Sequence, residues 1–353
     1  MKSEEGFVIE TISTKPLRRA LQALCIRVTR SAPLLFIAAS LAVTTMVDAA
    51  ETPAAKLALK SSAALVLDQE SGQILYGKNA NAILPIASIT KVMTAMVVLD
   101  ANLDAQEAIT VTNDDVDWLR GSHSRLQVGA VLTREEMLRL ALMSSENRAA
   151  SALGRAYPGG REAFVLAMNQ KAQMLGLSGT HYGDSTGLSS TNVSTAEDLG
   201  RLVRAAHLYP RIREFTTTTS HMATVNGRPL GFRNTNVLVS NPGWNIGLSK
   251  TGYINEAGRC LVMQATLAGR AVVIVLLDSW GKYTRTADAA RIRQWLEVAA
   301  GYGSTARQAS ATRKVAKSAK AAALTRSASQ KTAMRSKAAR RNVTEVTTGR
   351  RPA

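Results

Sequence analysis

Ser88-Ile89-Thr90-Lys91 sets a hydroxyl nucleophile and an amine three residues apart at the start of an apolar run. In a helix such residues share a face, with Cβ atoms about 5–6 Å apart. A serine hydroxyl is a weak nucleophile at neutral pH. A lysine held away from water loses proton affinity and can take the hydroxyl's proton. The tetrad alone does not decide the matter, because an ordinary helix surface supplies the same pair by chance. Its surroundings add weight. Ile89, Val92, Met93, Met96 and Val97 cover most of the circumference, so the spacing predicts a central, buried helix from Ser88 to Asp100. Burial would place Lys91 in a low dielectric.

Upstream, Ala63 to Leu67 is apolar, Asp68 to Gly72 supplies turn chemistry, and Gln73 to Tyr76 returns as the second arm of a hairpin. Residues 105–208 read as mostly helical. Thr133 before Arg134-Glu135-Glu136 is an N-cap with acids in the first turn, and Asp198 to His207 is a second helix. Extended segments return after Asn226-Gly227: Trp244 to Tyr253, Cys260 to Ala268 and Ala271 to Leu277, the last two joined at Ala268-Gly269-Arg270. Arg285 to Ala299 closes as an amphipathic helix. Strands, helices, strands and a helix in that order imply an α/β (α+β) fold. Its first and last strands share one antiparallel sheet flanked by helices.

Two more short motifs follow in order: Ser145-Glu146-Asn147 in a loop after a helix, and Lys250-Thr251-Gly252 in an extended segment. Each has a chemical use beside Ser88 and Lys91. Ser88 would attack a carbonyl while Lys91, as general base, takes its proton. Ser145 would relay a proton to the departing amine, and Asn147 would hold the substrate amide. Lys250 would add positive potential, and Thr251 would offer a hydroxyl to a substrate carboxylate. Gly252 would let an extended substrate approach the strand. The backbone N–H groups of Ser88 and Tyr253 would form the oxyanion hole.

The trio Ser-x-x-Lys, Ser-x-Asn and Lys-Thr-Gly resembles the signature of penicillin-binding proteins and class A β-lactamases. The flanking residues carry the likeness further: Ala87 to Met96, Ser144 to Ala150, Leu248 to Gly258, Tyr157-Pro158-Gly159-Gly160, Ser185 to Leu188 and Asn192 to Ala196. From about Ala63 to Ala299 the chain resembles low-molecular-mass penicillin-binding proteins. Within those it is most similar to D-alanyl-D-alanine endopeptidases of the penicillin-binding protein 7 type. The resemblance implies a β-lactamase/transpeptidase-like fold with a helical subdomain, a peptidoglycan substrate, hydrolysis of the D-alanyl to diaminopimelate cross-link, and acylation by β-lactams. The alternative within the family is a carboxypeptidase trimming pentapeptide stems. Those relatives often carry a further C-terminal β-domain, for which the polar tail here is too short.

The two ends of the chain differ in composition from its body. Of the net +18, residues 304–353 carry +12, with thirteen basic residues against Glu345 alone. That tail is rich in Ala, Ser, Lys and Arg and poor in large apolar residues, so it is expected to be disordered. It suits attachment to an anionic membrane or wall polymer, or it is simply solvated. Nucleic acid is the weakest choice of partner, since the tail has no aromatic residue for stacking. Near the N-terminus, basic residues from Lys15 to Arg30 precede an apolar run from Ala32 to Val47 and then Asp48-Ala49-Ala50. The order reads as a signal peptide over 1–49, unusually long in its basic region, directing export to the periplasm. An uncleaved anchor would instead keep the chain at the inner membrane. Residues 50–303 are then the catalytic domain. Cleavage would remove Cys25 and leave Cys260 without a disulfide partner.

Rival chemistries find less support. Gly183-Asp184-Ser185-Thr186-Gly187 matches the Gly-x-Ser-x-Gly elbow, but a loop-like stretch follows where that motif needs a helix, so the segment is expected to line the rim of the site. A β-lactamase needs a carboxylate to position water for deacylation, and Glu146 is the one acid within a motif. His123, His181, His207 and His221 lack metal-ligand spacing, and no cofactor is called for. A non-catalytic wall-binding protein would have no need of Ser88 and Lys91 together.

Overall fold

The computed structural model describes residues 57–301. The expected signal segment and basic tail lie outside the described residues. The described part opens with the predicted hairpin, β1 (Ala63–Asp68) and β2 (Ile74–Lys78), followed by the short strand β3 (Leu84–Pro85). A 3₁₀ turn over Ala87–Thr90 leads into α1 (Lys91–Asp100). The intervening region contains α2 (Arg134–Met143), α3 (Asn147–Arg155), α4 (Gly160–Met174), α5 (Ala196–Ala206) and α6 (Pro210–Thr217). It also holds short strands β4 (Ala108–Thr110), β5 (Val131–Thr133) and β6 (Val193–Ser194). A hairpin of β7 (Ser220–Val225) and β8 (Arg228–Arg233) follows. Then come β9 (Asn245–Ile254), β10 (Gly258–Leu267), β11 (Arg270–Ser279) and α7 (Thr284–Ala299).

The main sheet has the order β2-β1-β11-β10-β9 and is antiparallel throughout. The first hairpin thus joins the last three strands, as the order of elements requires. Both faces of the sheet are covered, which explains why β1, β10 and β11 read as nearly unbroken apolar runs. Ala63, Leu65 and Leu67 of β1 face the helices α1 to α6, while Ala64 and Val66 face α7. β11 splits the same way, Val273, Val275 and Leu277 against Val272, Ile274 and Leu276. This is the two-residue period of a strand with both of its faces buried.

Local chemistry sets the element ends. Thr133 and Thr195 cap α2 and α5 by accepting from the backbone N–H groups of Glu136 (3.2 Å) and Asp198 (3.0 Å). Asn226 and Gly227 both take positive φ, 49° and 75°, as a two-residue hairpin turn demands. Extended structure therefore begins at Ser220, ahead of Asn226-Gly227 rather than after it. The predicted helix is also shortened at its start. Ser88 sits in a 3₁₀ turn whose first residue, Ala87, has φ 48°, and regular α-helix begins only at Lys91. Once formed, α1 is buried from Lys91 to Val98 on every face.

Asp288 on α7 fastens the segment ahead of β1. Its buried carboxylate accepts from the backbone N–H of Lys60 and Ser61 and from the Ser61 hydroxyl, at 2.7–3.2 Å, and from the Arg291 guanidinium. Asp288→Ala would leave the Ser61 amide and hydroxyl without this acceptor. It is expected to destabilise the domain by about 3 kcal/mol, read as a lowered urea midpoint with an unchanged slope.

Candidate active site

The 3₁₀ turn directs Ser88 into a cleft between the helices and β9. Lys91 Nζ lies 3.0 Å from Ser88 Oγ, 2.7 Å from Asn147 Oδ1 and 2.6 Å from the Thr186 carbonyl. The Lys91 side chain is fully buried. Burial pushes its ammonium down to about 8, against the opposing pull of Asp184, Glu146 and Asp117. The two oxygens besides Ser88 can only accept. A protonated Lys91 therefore donates to all three neighbours. A neutral Lys91 spends its two N–H bonds on Asn147 and Thr186 and turns its lone pair to the Ser88 hydroxyl. This geometry supports proton transfer from Ser88 to Lys91.

Those two acceptors are themselves held. Asn147 Nδ2 donates to Ser122 Oγ at 2.9 Å, which fixes which end of the amide faces Lys91. Ser122 lies in a loop organised by Asp117, whose carboxylate accepts from the backbone of Leu119, Arg120 and Ser122 at 2.9–3.0 Å. Arg120 of the same loop donates to the Leu188 carbonyl and pairs with Glu256 across the cleft at 2.9 Å. The Thr186 carbonyl is positioned by Asp184, which accepts from the backbone of Thr186, Gly187 and Ser189 and from the Thr186 hydroxyl and Asn192 amide. The segment 183–187, expected at the rim, instead reaches into the floor. Ser185 and Thr186 are buried, and Thr94 of α1 donates to the Ser185 carbonyl at 2.7 Å. No strand-to-helix elbow forms there.

The second motif divides between loop and helix. Ser145 lies in the loop with φ 61°, a left-handed conformation that non-glycine residues adopt at a cost. Glu146 is the N-cap of α3, accepting from Arg148 N and from the Ser124 hydroxyl. Asn147, expected in the loop, is the first residue of that helix. Among the described residues, no hydrogen bond joins Ser145 to Lys91 or Lys250.

The third motif lies on β9, an edge strand whose inner neighbour is β10. Lys250 is buried, and its Nζ donates to the Thr251 carbonyl at 2.9 Å. Burial, and then the charges of Lys91 and Arg285, hold its ammonium well below the usual lysine range. The Thr251 hydroxyl donates to Thr235 Oγ1 at 2.7 Å. Arg285 supports the strand from α7 through the carbonyls of Gly252 and Cys260. Gly252 has a tighter reason to be glycine than substrate access. A Cβ there would come within 2.9 Å of the Ile86 carbonyl and 3.1 Å of Ser88 N. Tyr253 follows it with its ring half exposed.

The sequence placed Asp184 and Thr186 only in a segment at the rim of the site, and did not single out Ser122 or Thr235. Only Asp184, in a Gly-Asp-Ser-Thr-Gly stretch with strong Asx-turn chemistry, carried a usable local signal. Among the described residues, no group of three His, Cys, Asp or Glu side chains gathers as metal ligands.

The sequence pattern of D-alanyl-D-alanine carboxypeptidases matches residues 47–281. The chain belongs to that family of serine peptidases. It is 50% identical over 264 residues to a D-alanyl-D-alanine endopeptidase of Pseudomonas aeruginosa, covering 73% of this chain and 85% of the relative. It is 46% identical over 251 residues to the D-alanyl-D-alanine endopeptidase of Escherichia coli, covering 70% and 81%. The crystal structure of the Streptomyces K15 DD-transpeptidase superposes with a TM-score of 0.63 at 29% identity, covering 67% of this chain and 97% of that one. A D-alanyl-D-alanine carboxypeptidase structure from Mycobacterium tuberculosis gives 0.62 at 30% identity, covering 67% and 91%. The fold is thus that of the DD-peptidases, with the transpeptidase/β-lactamase-like arrangement of an antiparallel sheet and helices.

The packing at Gly252 gives a direct test. Gly252→Ala should push the Ser88 turn outward by a few tenths of an ångström while the fold persists. The rate of Ser88 acylation is expected to fall about 100-fold, with circular dichroism unchanged.

Proposed function

We propose that this protein is a serine DD-endopeptidase that hydrolyses D-alanyl cross-links in peptidoglycan through an acyl-enzyme on Ser88. The observation that carries the reading is the Lys91 amine, buried and bonded to Ser88, Asn147 and Thr186. The names of the Pseudomonas and Escherichia relatives support the choice of endopeptidase over carboxypeptidase.

Ser88 Oγ attacks the D-alanyl carbonyl as its proton passes to Lys91. The N–H groups of Ser88 and Tyr253 take the oxyanion. Asn147 hydrogen-bonds the substrate amide, and Lys250 and Thr251 receive the carboxylate of the residue beyond the scissile bond. Collapse breaks the C–N bond, and the departing amine takes a proton from Lys91 relayed by Ser145. Water then attacks the ester, Lys91 accepts its proton, and Ser88 regains the hydrogen. β-Lactams acylate the same serine and are covalent inhibitors. The signal-like N-terminal stretch supports a periplasmic enzyme, and the basic tail suits an anionic membrane or wall polymer.

Labelled penicillin should attach covalently to Ser88, and Ser88→Ala should take up none. Because the reactive form of Lys91 is neutral, the acylation rate should rise about tenfold per pH unit below about 8 and level off above it. A folded protein that takes up no label would sink the enzyme reading. A rate insensitive to pH between 6 and 9 would remove Lys91 as the base.

Purified cross-linked muropeptide dimer should fall to monomers, while free pentapeptide loses its terminal D-alanine slowly or not at all. Chromatography of the two digests reads the difference. Rapid trimming of pentapeptide with intact dimer would make the enzyme a carboxypeptidase.

A further inference from the structure

A pocket of about 1160 Å³ opens beside the cleft, lined by none of Ser88, Lys91, Ser145, Asn147, Lys250 and Thr251. Its inner wall is Ser144 and Glu146, the residues flanking Ser145. Its other walls include His123 and Arg125 from the loop after Ser122, and Ser220 and Arg233 from the β7–β8 hairpin. Two contacts fix where it lies along the cleft. Thr235, two residues beyond Arg233, accepts from the Thr251 hydroxyl, and its N–H donates to the Met143 carbonyl at 3.1 Å. The pocket therefore adjoins the Lys250-Thr251 end of the site. That is the end assigned to the residue beyond the scissile bond.

Its charge is lopsided. The one lining carboxylate, Glu146, is occupied by Ser124 and by capping α3. Arg125 lies over the Phe232 ring, 5.8 Å from its centroid, and donates to the Gly231 carbonyl. Arg233 is exposed, and among the described residues its side chain has no hydrogen bond or ion pair. Its guanidinium is free to grip a carboxylate in bidentate fashion.

We propose that this pocket binds the second peptide stem of the cross-link, the leaving group, through its free carboxylates, with Arg233 as the principal contact. This rests on the endopeptidase reading and names the feature that would distinguish a cross-link from a free terminus. A departing D-alanine fills only a corner of such a volume, since pockets of about 300–1,000 Å³ take drug-sized ligands. A second stem is of that size and carries carboxylates beyond the one at the scissile residue.

The test uses purified muropeptide dimer and labelled penicillin, which has no second stem. Arg233→Glu should lower kcat/KM for the dimer at least tenfold relative to its rate of acylation by penicillin, mainly through KM. In a Ser88→Ala background, titration calorimetry should show dimer binding weakened at least tenfold by Arg233→Glu and weakened less by Arg233→Lys, which keeps the charge but not the two-pronged grip. Equal dimer affinity in all three proteins overturns the proposal. So does a fall in penicillin acylation equal to the fall in dimer cleavage, which would mark a structural defect. Dimer that binds Ser88→Ala through Arg233 but is not cleaved by the wild-type enzyme would uphold the pocket and refute the endopeptidase reading.

Discussion

The site depends on how many hydrogen bonds one buried amine can make. Lys91 Nζ faces three oxygens, and two of them can only accept. Losing one proton leaves the amine's lone pair a single direction free of a fixed acceptor, toward Ser88. Burial supplies the other half of the arrangement by making that loss easy near neutral pH. Lys250 is a second buried amine nearby, and after burial the charge of Lys91 helps hold its ammonium well below the usual lysine range. Much of the surrounding structure holds the acceptors in place. Asp184 organises the turn that presents the Thr186 carbonyl, and Ser122 orients the Asn147 amide.

The sheet and helices meet at the nucleophile with little slack. Gly252 of β9 and Gly187 of the 183–187 turn both lie against the backbone of the Ser88 turn. A Cβ on Gly187 would come 2.0 Å from the Ala87 carbonyl oxygen. Between these two contacts Ala87 adopts its left-handed conformation. A strained residue held by packing on both sides is a common companion of a reactive group. Here it lets Ser88 leave the helix axis while Lys91 stays on it. The helix therefore begins at Lys91 and not at Ser88.

Much of this was legible in the sequence. The spacing of Ser88 and Lys91, the strand carrying Lys250-Thr251-Gly252, the Thr133 cap and the apolar circumference of α1 are local patterns, and local patterns survive folding. The order of elements also sufficed to pair the first hairpin with the last strands. What escaped was non-local or belonged to the backbone. The Thr186 carbonyl is an acceptor that every residue possesses, so no residue type advertises it. Ser122 matters only because folding brings it to Asn147, 25 positions away. Ala87 gives no hint of positive φ, since its conformation is imposed by neighbouring elements. The Asp184 turn was visible as turn chemistry, yet nothing in that pattern tells that the Thr186 carbonyl reaches Lys91.

The loop from Asp117 to Ser122 is fastened on its outer side by Arg120, which joins Leu188 and the solvent-exposed Glu256. An ion pair in water contributes little and weakens as salt rises. The orientation of the Asn147 amide is thus linked, through Ser122 and this loop, to a latch on the surface. The alignment of a buried base is in this way open to the ionic composition of the medium outside.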